Sequence, residues 1–392
     1  MLHELDNKAV SPSLEKGNIR VFRYFHWLLS ALLLAGVVPA FHAVGLPFIF
    51  DWPRLLTMYW IGLTAQSLCV TTLLCVVAFP LDQTLIPFWN RCRKDKLRLT
   101  FLAVFAAFML WRLGWAIGLM LTVDILTVME VLDRVSGGRK MVWRLATNIV
   151  LPAVYFFVGL LLVFSYNDVI ASAVDIEKYT AMCLRLDSIL LFGSSVSAIA
   201  HSVMGRLPVS AYRILEGIYF GMFAQLGAGL FLIAAAYGKR RALAYIGTLL
   251  TAYYLALLVF AVWPAGPVAS VCEDHFSRFP ESAVLYNVQK ADVDKPRLLF
   301  SRAGIPSIDT DYYISLPCLH IALPLIMLWF VRNWRRMFAV LLVYDAILFI
   351  SIILLEQHYL IDLIAGMIAA AVAIALVQSP EKETEKRVFQ SF

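Results

Sequence analysis

Two stretches near the C-terminus decide how the chain is interpreted: residues 315–320 have the sequence SLPCLH, and residues 358–366 have the sequence HYLIDLIAG. Each places a histidine at the edge of an apolar segment, where ionisable residues usually have a function. His358 and Asp362 are four positions apart, so a helix would bring them onto one face. A carboxylate there can accept the proton of one ring nitrogen and leave the other nitrogen free to attack or to bind a ligand. The sequence therefore predicts a site that contains His320, His358 and Asp362.

The composition around these stretches is typical of a membrane protein. Apolar residues make up 61% of the 392 residues and charged residues only 15%, and apolar segments of roughly 20 residues, long enough to cross a hydrocarbon core, recur along the chain. The predicted spans are residues 25–44, 57–79, 100–123, 147–166, 212–237, 242–264, 316–331, 337–355 and 360–378. The predicted fold is all-α, a polytopic membrane protein of about nine transmembrane helices. The basic loops before residue 145 cannot all be cytoplasmic, because only one predicted span separates the last two of them. The number of spans is therefore open by one.

The chain divides near residue 167. Residues 1–167 are predicted to form an N-terminal membrane region of about four helices, with no role indicated. Residues 168–211 interleave charged and apolar side chains, which fits amphipathic helices in the membrane interface as well as it fits a plain connector. Residues 212–378 carry both histidines and are predicted to form the catalytic bundle, and residues 379–392 a cytoplasmic tail.

The net charge of +6 indicates topology rather than nucleic-acid binding, because the lysines and arginines lie in short loops between spans. Basic turns at residues 238–241 and 332–336 are predicted to be cytoplasmic. It follows that His320 and His358 lie together at the non-cytoplasmic edge of the bilayer. We expect a bacterial inner membrane with the site facing the periplasm, or alternatively a Golgi membrane with a luminal site.

The six cysteines have no paired metal-binding spacing such as C-x-x-C, so a zinc site built from cysteines is not predicted. Cys272 and Cys318 both fall on the predicted outer side and could form a disulfide.

A charged residue in the middle of a span also needs a reason. For Asp345 the sequence favours a structural pairing, with a path for protons or for a polar substrate as the alternative.

Four pieces of the C-terminal half carry a family resemblance. Residues 316–322 (LPCLHIA) resemble an L-P-S-L-H-x-A motif, and residues 357–366 (QHYLIDLIAG) contain an H-Y-x-x-D-x-x-x-G motif. The turn at residues 263–267 (WPAGP) and the acidic, Leu-Phe-Gly-containing residues 187–193 resemble two further elements. Together, over roughly residues 185–370, they resemble the type 2 phosphatidic acid phosphatase superfamily, and within it the inositol phosphorylceramide synthase (inositolphosphotransferase) branch.

The resemblance implies a role for each residue of the predicted site. His358, oriented by Asp362, would attack phosphorus and form a phosphohistidine, and His320 would act as general acid and then as general base. The candidates for holding the substrate phosphate are Arg302, Arg297, Lys295 and Cys318. The resemblance implies neither a metal nor another cofactor. The implied substrates are membrane lipids, phospholipid or sphingolipid; nucleic acid is not expected, and the oligomeric state is not indicated.

Two departures from the family pattern bear on the reaction. The phosphatase members have an arginine shortly before the second histidine, whereas Ser351 is followed here by Ile352, as in the synthase branch. This favours transfer of a head group over hydrolysis. Cys318 stands where a serine is usual, which removes a good hydroxyl donor from the site.

Three alternatives remain open from the residues alone. The first is a metal-independent lipid phosphatase, because the exclusion of water decides between hydrolysis and transfer. The second is a facial metal triad of His320, His358 and Asp362, disfavoured because the outer loop lacks the further acidic pairs of a two-metal site. The third is a non-enzymatic membrane carrier or docking protein whose histidine site is vestigial.

Overall fold

The computed structural model describes residues 29–40, 42–43, 73–74, 150–173, 176–266, 268 and 315–377. Throughout these residues the secondary structure is helical and no strand occurs, which confirms the all-α prediction. The helices are α1 (Leu29–Ala40), α2 (Leu151–Ala173), α3 (Ile176–Leu190), α4 (Val196–Met204), α5 (Val209–Val262), α6 (Leu319–Val331), α7 (Arg335–Leu354) and α8 (Leu360–Val377). The spans predicted at 57–79 and 100–123 lie outside the described residues, apart from residues 73–74.

The helix α5 is a hairpin rather than a single rod. Its 54 residues would extend about 80 Å if straight, yet the Tyr245 hydroxyl donates a hydrogen bond to the Leu226 carbonyl, 19 residues earlier, at 3.3 Å. The chain therefore folds back between two arms, Val209–Ala234 and Lys239–Val262. Both arms are long and apolar enough to cross a membrane, as are α7 and α8.

These four helices agree with the predicted spans at 212–237, 242–264, 337–355 and 360–378. The span predicted at 316–331 is a shorter helix that begins at Leu319, because Cys318 is still extended, with φ −68° and ψ 106°. The count of nine spans stays a prediction. Whether α3 and α4 lie in the membrane interface also stays a prediction.

The two basic turns lie at one end of the bundle and the two histidines lie at the other. The Arg241 guanidinium, after the hairpin turn of α5, is 3.4 Å from the Phe330 carbonyl oxygen and 5.0 Å above the Phe330 ring, at the end of α6. His320 lies at the opposite end of α6 and His358 just before α8. The arrangement is the one that the charge pattern predicts, and which end faces the cytoplasm stays a prediction.

The centre of the bundle contains a polar contact between α5 and α7. The Gln225 side chain donates a hydrogen bond to Asp345 Oδ1 at 2.9 Å, and Asp345 is fully buried. Next to it, the Tyr344 hydroxyl donates to the Ile218 carbonyl at 2.5 Å. Both bonds tie α7 to the first arm of α5, which is the arrangement expected of a structural pairing for Asp345.

We expect Asp345→Asn to leave turnover unchanged and to alter the free energy of unfolding by less than about 1 kcal/mol, because Asn keeps the acceptor for Gln225. Asp345→Leu removes that acceptor and is expected to cost about 1–2 kcal/mol. The measurements are thermal unfolding in detergent and activity of the same preparations. Loss of turnover in Asp345→Asn with an unchanged unfolding temperature would instead indicate a proton path.

Candidate active site

His358 lies in the turn between α7 and α8 and is almost completely buried. The expectation that His358 and Asp362 share a helical face is wrong in detail, because α8 begins only at Leu360. The two side chains still meet, with His358 Nδ1 3.3 Å from Asp362 Oδ2. The Tyr359 amide donates to the same carboxylate oxygen at 3.2 Å. Asp362 therefore holds both the turn and the imidazole ring.

A second acceptor faces the same ring nitrogen. The Ser315 carbonyl oxygen is 3.1 Å from His358 Nδ1, and the Ser315 hydroxyl donates to Asp362 Oδ2 at 2.5 Å. A carbonyl oxygen can only accept, so we assign the proton of the neutral ring to Nδ1. The lone pair of His358 is then on Nε2, on the other side of the ring.

His320 faces this lone pair. Its Nδ1 is 3.1 Å from His358 Nε2, and since Nε2 accepts, His320 Nδ1–H donates. The His320 ring stacks on Tyr219 with the ring centroids 4.6 Å apart, and it makes a T-shaped contact with the Phe223 ring at 6.2 Å. The first arm of α5 therefore orients the second histidine. One histidine presents a lone pair and the other presents a proton at the same point.

Burial of His358 lowers its pKa, whereas the neighbouring Cys318 sulfur and the Asp362 carboxylate raise it, and the net direction is upward. An upward shift means that the ring holds a proton more readily than an ordinary histidine does. Independently of that shift, the Asp362 carboxylate and the Ser315 carbonyl accept the Nδ1–H and so increase the basicity of Nε2 in the neutral ring.

The glycine of the H-Y-x-x-D-x-x-x-G motif is explained by a close approach of two backbones. The Cys318 amide donates to the Asp362 carbonyl at 3.0 Å, and Gly366 lies one helical turn further along the same face of α8. A Cβ on Gly366 would collide with the Cys318 carbonyl oxygen and approach Ile321 Cβ to 3.3 Å. Only glycine lets α8 come this close to the start of α6, which sets the separation of the two histidines.

Asp187 of α3 caps the helix that follows His358. Its two carboxylate oxygens accept the Leu360 and Ile361 amides, each at 3.0 Å, and the side chain is fully buried. These amides belong to the first turn of α8, whose amide groups have no partner within the helix. Burial raises the pKa of Asp187 because it penalises the charged form, and the two amide bonds oppose that rise. Asp187 thus positions α8, and with it His358 and Asp362.

We expect Asp187→Ala to lower turnover about 10- to 100-fold, because a displacement of roughly 1 Å at a reacting group has effects of this size. Two buried amides lose their acceptor, at a cost of about 1–3 kcal/mol each, and Asp187→Asn is expected to be milder because it retains one acceptor oxygen. Arg185→Gln, an exposed charge on the same helix, is the matched control. Initial rates and unfolding temperatures of the three variants test this, and an Asp187→Ala protein with wild-type turnover contradicts the positioning role.

Cys318 carries a free and fully buried thiol, so the disulfide to Cys272 considered from the sequence is not formed. Its sulfur and one ring nitrogen from each of His320 and His358 all lie within 4.8 Å of one another. Asp362 does not join this group, because its carboxylate is held at the opposite nitrogen of His358. The facial triad considered from the sequence is therefore not the arrangement found.

The structure thus brings His320, His358 and Asp362 together, with Cys318 beside them. Arg302, Arg297 and Lys295 lie outside the described residues, and their role in holding phosphate stays a prediction. Three further residues that orient the site have no assigned role in the sequence analysis: Ser315, Tyr219 and Asp187. Asp187 begins one of the stretches that carry the family resemblance and Ser315 immediately precedes another, and this was the available signal.

Comparison with known proteins gives a match at the level of a superfamily. No curated protein and no solved structure matches the chain. One family model does match, and its region, which covers just under half of the chain, extends from the helix that carries Asp187 almost to the end of α8. Residues 184–376, which hold both histidines, the carboxylate and the capping aspartate, match the PAP2 superfamily.

Proposed function

We propose that the protein is an integral membrane phosphotransferase that acts on a lipid phosphate or phosphodiester through a phosphohistidine on His358. The observation that carries the proposal is the 3.1 Å contact between His358 Nε2 and His320 Nδ1, with Asp362 and the Ser315 carbonyl on the far nitrogen of His358. The match of residues 184–376 to the PAP2 superfamily supports a reaction of the phosphatase or phosphotransferase type. The apolar helices around the site make membrane lipids the natural substrates.

In the first half-reaction, the phosphoryl group enters between the two rings and displaces their mutual hydrogen bond. His358 Nε2 attacks phosphorus, a P–N bond forms, and the bond from phosphorus to the leaving oxygen breaks. His320, protonated on both ring nitrogens once the anionic phosphate is bound, transfers its Nδ1 proton to that oxygen, so that the alcohol leaves in the neutral form and His320 becomes a neutral imidazole. Asp362 and the Ser315 carbonyl accept the Nδ1–H of His358 throughout, which stabilises the positive charge that the ring acquires.

In the second half-reaction, His320 accepts the proton of an incoming hydroxyl group. The acceptor oxygen attacks phosphorus, the P–N bond breaks, and His358 recovers its lone pair. If the acceptor is an alcohol, the product is a new phosphate ester, which is a phosphodiester when the donor is a phosphodiester; if it is water, the product is that of hydrolysis. The site needs no residue other than these histidines and their partners for the proton balance of either outcome.

We favour head-group transfer of the kind carried out by inositol phosphorylceramide synthases, with lipid phosphatase as the second candidate. Ser351 donates its hydroxyl to the Leu348 carbonyl at 2.7 Å, and Ile352 is fully buried in the apolar core. At the position where the phosphatase pattern has an arginine, the end of α7 therefore has the buried side chain of Ile352, which packs in the core. A site without that cation relies more on a dry environment, which favours an alcohol over water as the acceptor.

The segment before the bundle supports access from the membrane interface. Around the end of α3, Phe192 is 98% exposed and Ile189 is 72% exposed, although both are apolar. Exposed apolar side chains on an amphipathic segment are typical of contact with the boundary between head groups and acyl chains. Asp187, on the same helix, contacts the turn next to His358, so a lipid head group that approaches along α3 reaches the two histidines. We place this interface on the non-cytoplasmic side.

Incubation of the purified protein in liposomes with labelled candidate lipids, with and without an alcohol acceptor, tests the proposal. Products are identified by mass spectrometry. A new phosphodiester that appears only with the acceptor supports transfer, and release of phosphate or head group in both conditions supports the phosphatase. If no candidate lipid is turned over, and no acid-labile phosphate becomes attached to the protein, a carrier or docking function replaces the enzyme.

A further inference from the structure

Three potential metal ligands converge at the front of the candidate active site. The sulfur of Cys318 and one ring nitrogen from each of His320 and His358 lie within 4.8 Å of one another. Cys318 and His358 are buried and His320 is half-buried, so solvent reaches the three ligands on the side of His320. One thiolate and two imidazoles form a donor set that suits Zn²⁺, whereas Mg²⁺ and Ca²⁺ prefer oxygen ligands.

The spacing of the two rings is close to that of a tetrahedral zinc site. Zn–N bonds of about 2.0–2.1 Å separate two nitrogen ligands by about 3.3–3.4 Å at the tetrahedral angle, and His320 Nδ1 and His358 Nε2 are 3.1 Å apart. A Zn–S bond of about 2.3 Å places the sulfur about 3.6 Å from each nitrogen. The sulfur lies within 4.8 Å of one ring nitrogen of each histidine, a separation that a rotation of the Cys318 side chain can shorten.

The partners behind His358 are those that support a ligating histidine. A histidine that binds zinc through one nitrogen usually donates the other N–H to a carboxylate or a backbone carbonyl. Asp362 Oδ2 and the Ser315 carbonyl occupy that place, at 3.3 and 3.1 Å from Nδ1. This is an observation independent of the cluster itself, and it leaves Nε2 ready to bind a cation.

We propose that Cys318, His320 and His358 bind a zinc ion that blocks phosphoryl transfer at this site. The ion would take the lone pair of His358 Nε2, the atom that attacks phosphorus in the proposed function. A phosphoryl group and the ion therefore cannot occupy the site together. Cysteine in place of the usual serine is what supplies the third ligand and makes the site sensitive to zinc.

The binding step balances with the release of one proton. The thiol of Cys318 loses its proton to the solvent as the Zn–S bond forms. The proton of His320 moves from Nδ1 to Nε2, so the ring stays neutral while Nδ1 binds the ion. Three protein ligands leave a fourth position for water, as in other zinc sites with an open coordination position.

Binding is tested on the full-length protein in detergent, with Co²⁺ as a spectroscopic substitute for Zn²⁺. We expect one Co²⁺ per chain with a thiolate-to-cobalt charge-transfer band, which Zn²⁺ removes and excess Mg²⁺ does not. Cys318→Ser is expected to lose the band and to bind Zn²⁺ at least about 100-fold more weakly, since even the loss of a partner behind a ligand costs 10–100-fold. Cys183→Ser is the matched control, because Cys183 is the other free and buried thiol of the described residues, and it should retain the band.

Two further readouts keep the outcome decisive. Zn²⁺ should raise the unfolding temperature of the wild-type protein and of Cys183→Ser, but not that of Cys318→Ser, because an ion that binds only the folded state stabilises it. With any lipid that is turned over, micromolar Zn²⁺ should inhibit the wild type, and a chelator should restore activity. Equal zinc affinity in Cys318→Ser, or turnover that rises with Zn²⁺, overturns the zinc inference. If no lipid is turned over, the cobalt band and the unfolding temperatures still decide whether the metal site exists.

Discussion

Replacement of His358 by alanine is expected to lower turnover by at least about 10³-fold, since removal of a covalent nucleophile generally has effects of this size or larger. The variant loses Nε2, which faces the His320 proton and whose lone pair attacks phosphorus in the proposed mechanism. The accompanying loss of phosphohistidine is measured by labelling with a radioactive phosphate donor, followed by acid and base treatment of the protein. The label on the wild-type protein should be stable to base and labile to acid.

The partner variant His320→Ala separates the two roles. With an alkyl leaving group it should be slowed about 10²- to 10⁴-fold, the usual contribution of a general acid. With a nitrophenyl ester of the same lipid phosphate the loss should be much smaller, because that leaving group departs without a proton. His358→Ala should be inactive on both substrates, and His201→Ala, an exposed histidine on α4, should behave as wild type. A His358→Ala protein that turns over the nitrophenyl ester normally would exclude the phosphohistidine.

The parts of the fold that follow from local chemistry were predictable from the sequence. Apolar length alone predicts both arms of α5 and the helices α7 and α8 within a few residues, because a membrane span must satisfy all of its backbone groups internally. The basic turns near Lys239 and Arg335 then place His320 and His358 at one end. Periodicity also predicts the contact between His358 and Asp362, although the turn before α8, rather than a helical face, produces it.

Contacts between distant segments were beyond the reach of the sequence. Ser315 lies 43 positions before His358, and the bond from its carbonyl depends on the path of the backbone, which no side-chain pattern encodes. Asp187 is 173 residues from Leu360, whose amide it binds. Spacing rules describe neighbours on one element, so they cannot pair a residue on α3 with the first turn of α8. Tyr219 reads as one more aromatic residue of an apolar span until the fold places it on the His320 ring.

Replacement of Gly366 by alanine is expected to reduce activity by at least about 100-fold, through geometry rather than chemistry. The nearest obstacle to the added Cβ is the Cys318 carbonyl oxygen, a backbone atom that no change of side-chain rotamer can move. The helix α8 must therefore shift away from α6. The hydrogen bond from the Cys318 amide to the Asp362 carbonyl oxygen, one helical turn from Gly366, breaks as α8 shifts. His358 and Asp362 move with α8, so the distance between His358 Nε2 and His320 Nδ1 increases. The attacking nitrogen and the proton donor then no longer meet at the same phosphoryl group.

Gly227→Ala is the matched control, because a Cβ at Gly227 has no atom within 4 Å and alanine is a better helix former than glycine by about 1 kcal/mol. That variant should equal or exceed the wild type in unfolding temperature and retain its turnover. If Gly366→Ala alone has wild-type turnover, the spacing of the two histidines does not depend on this contact.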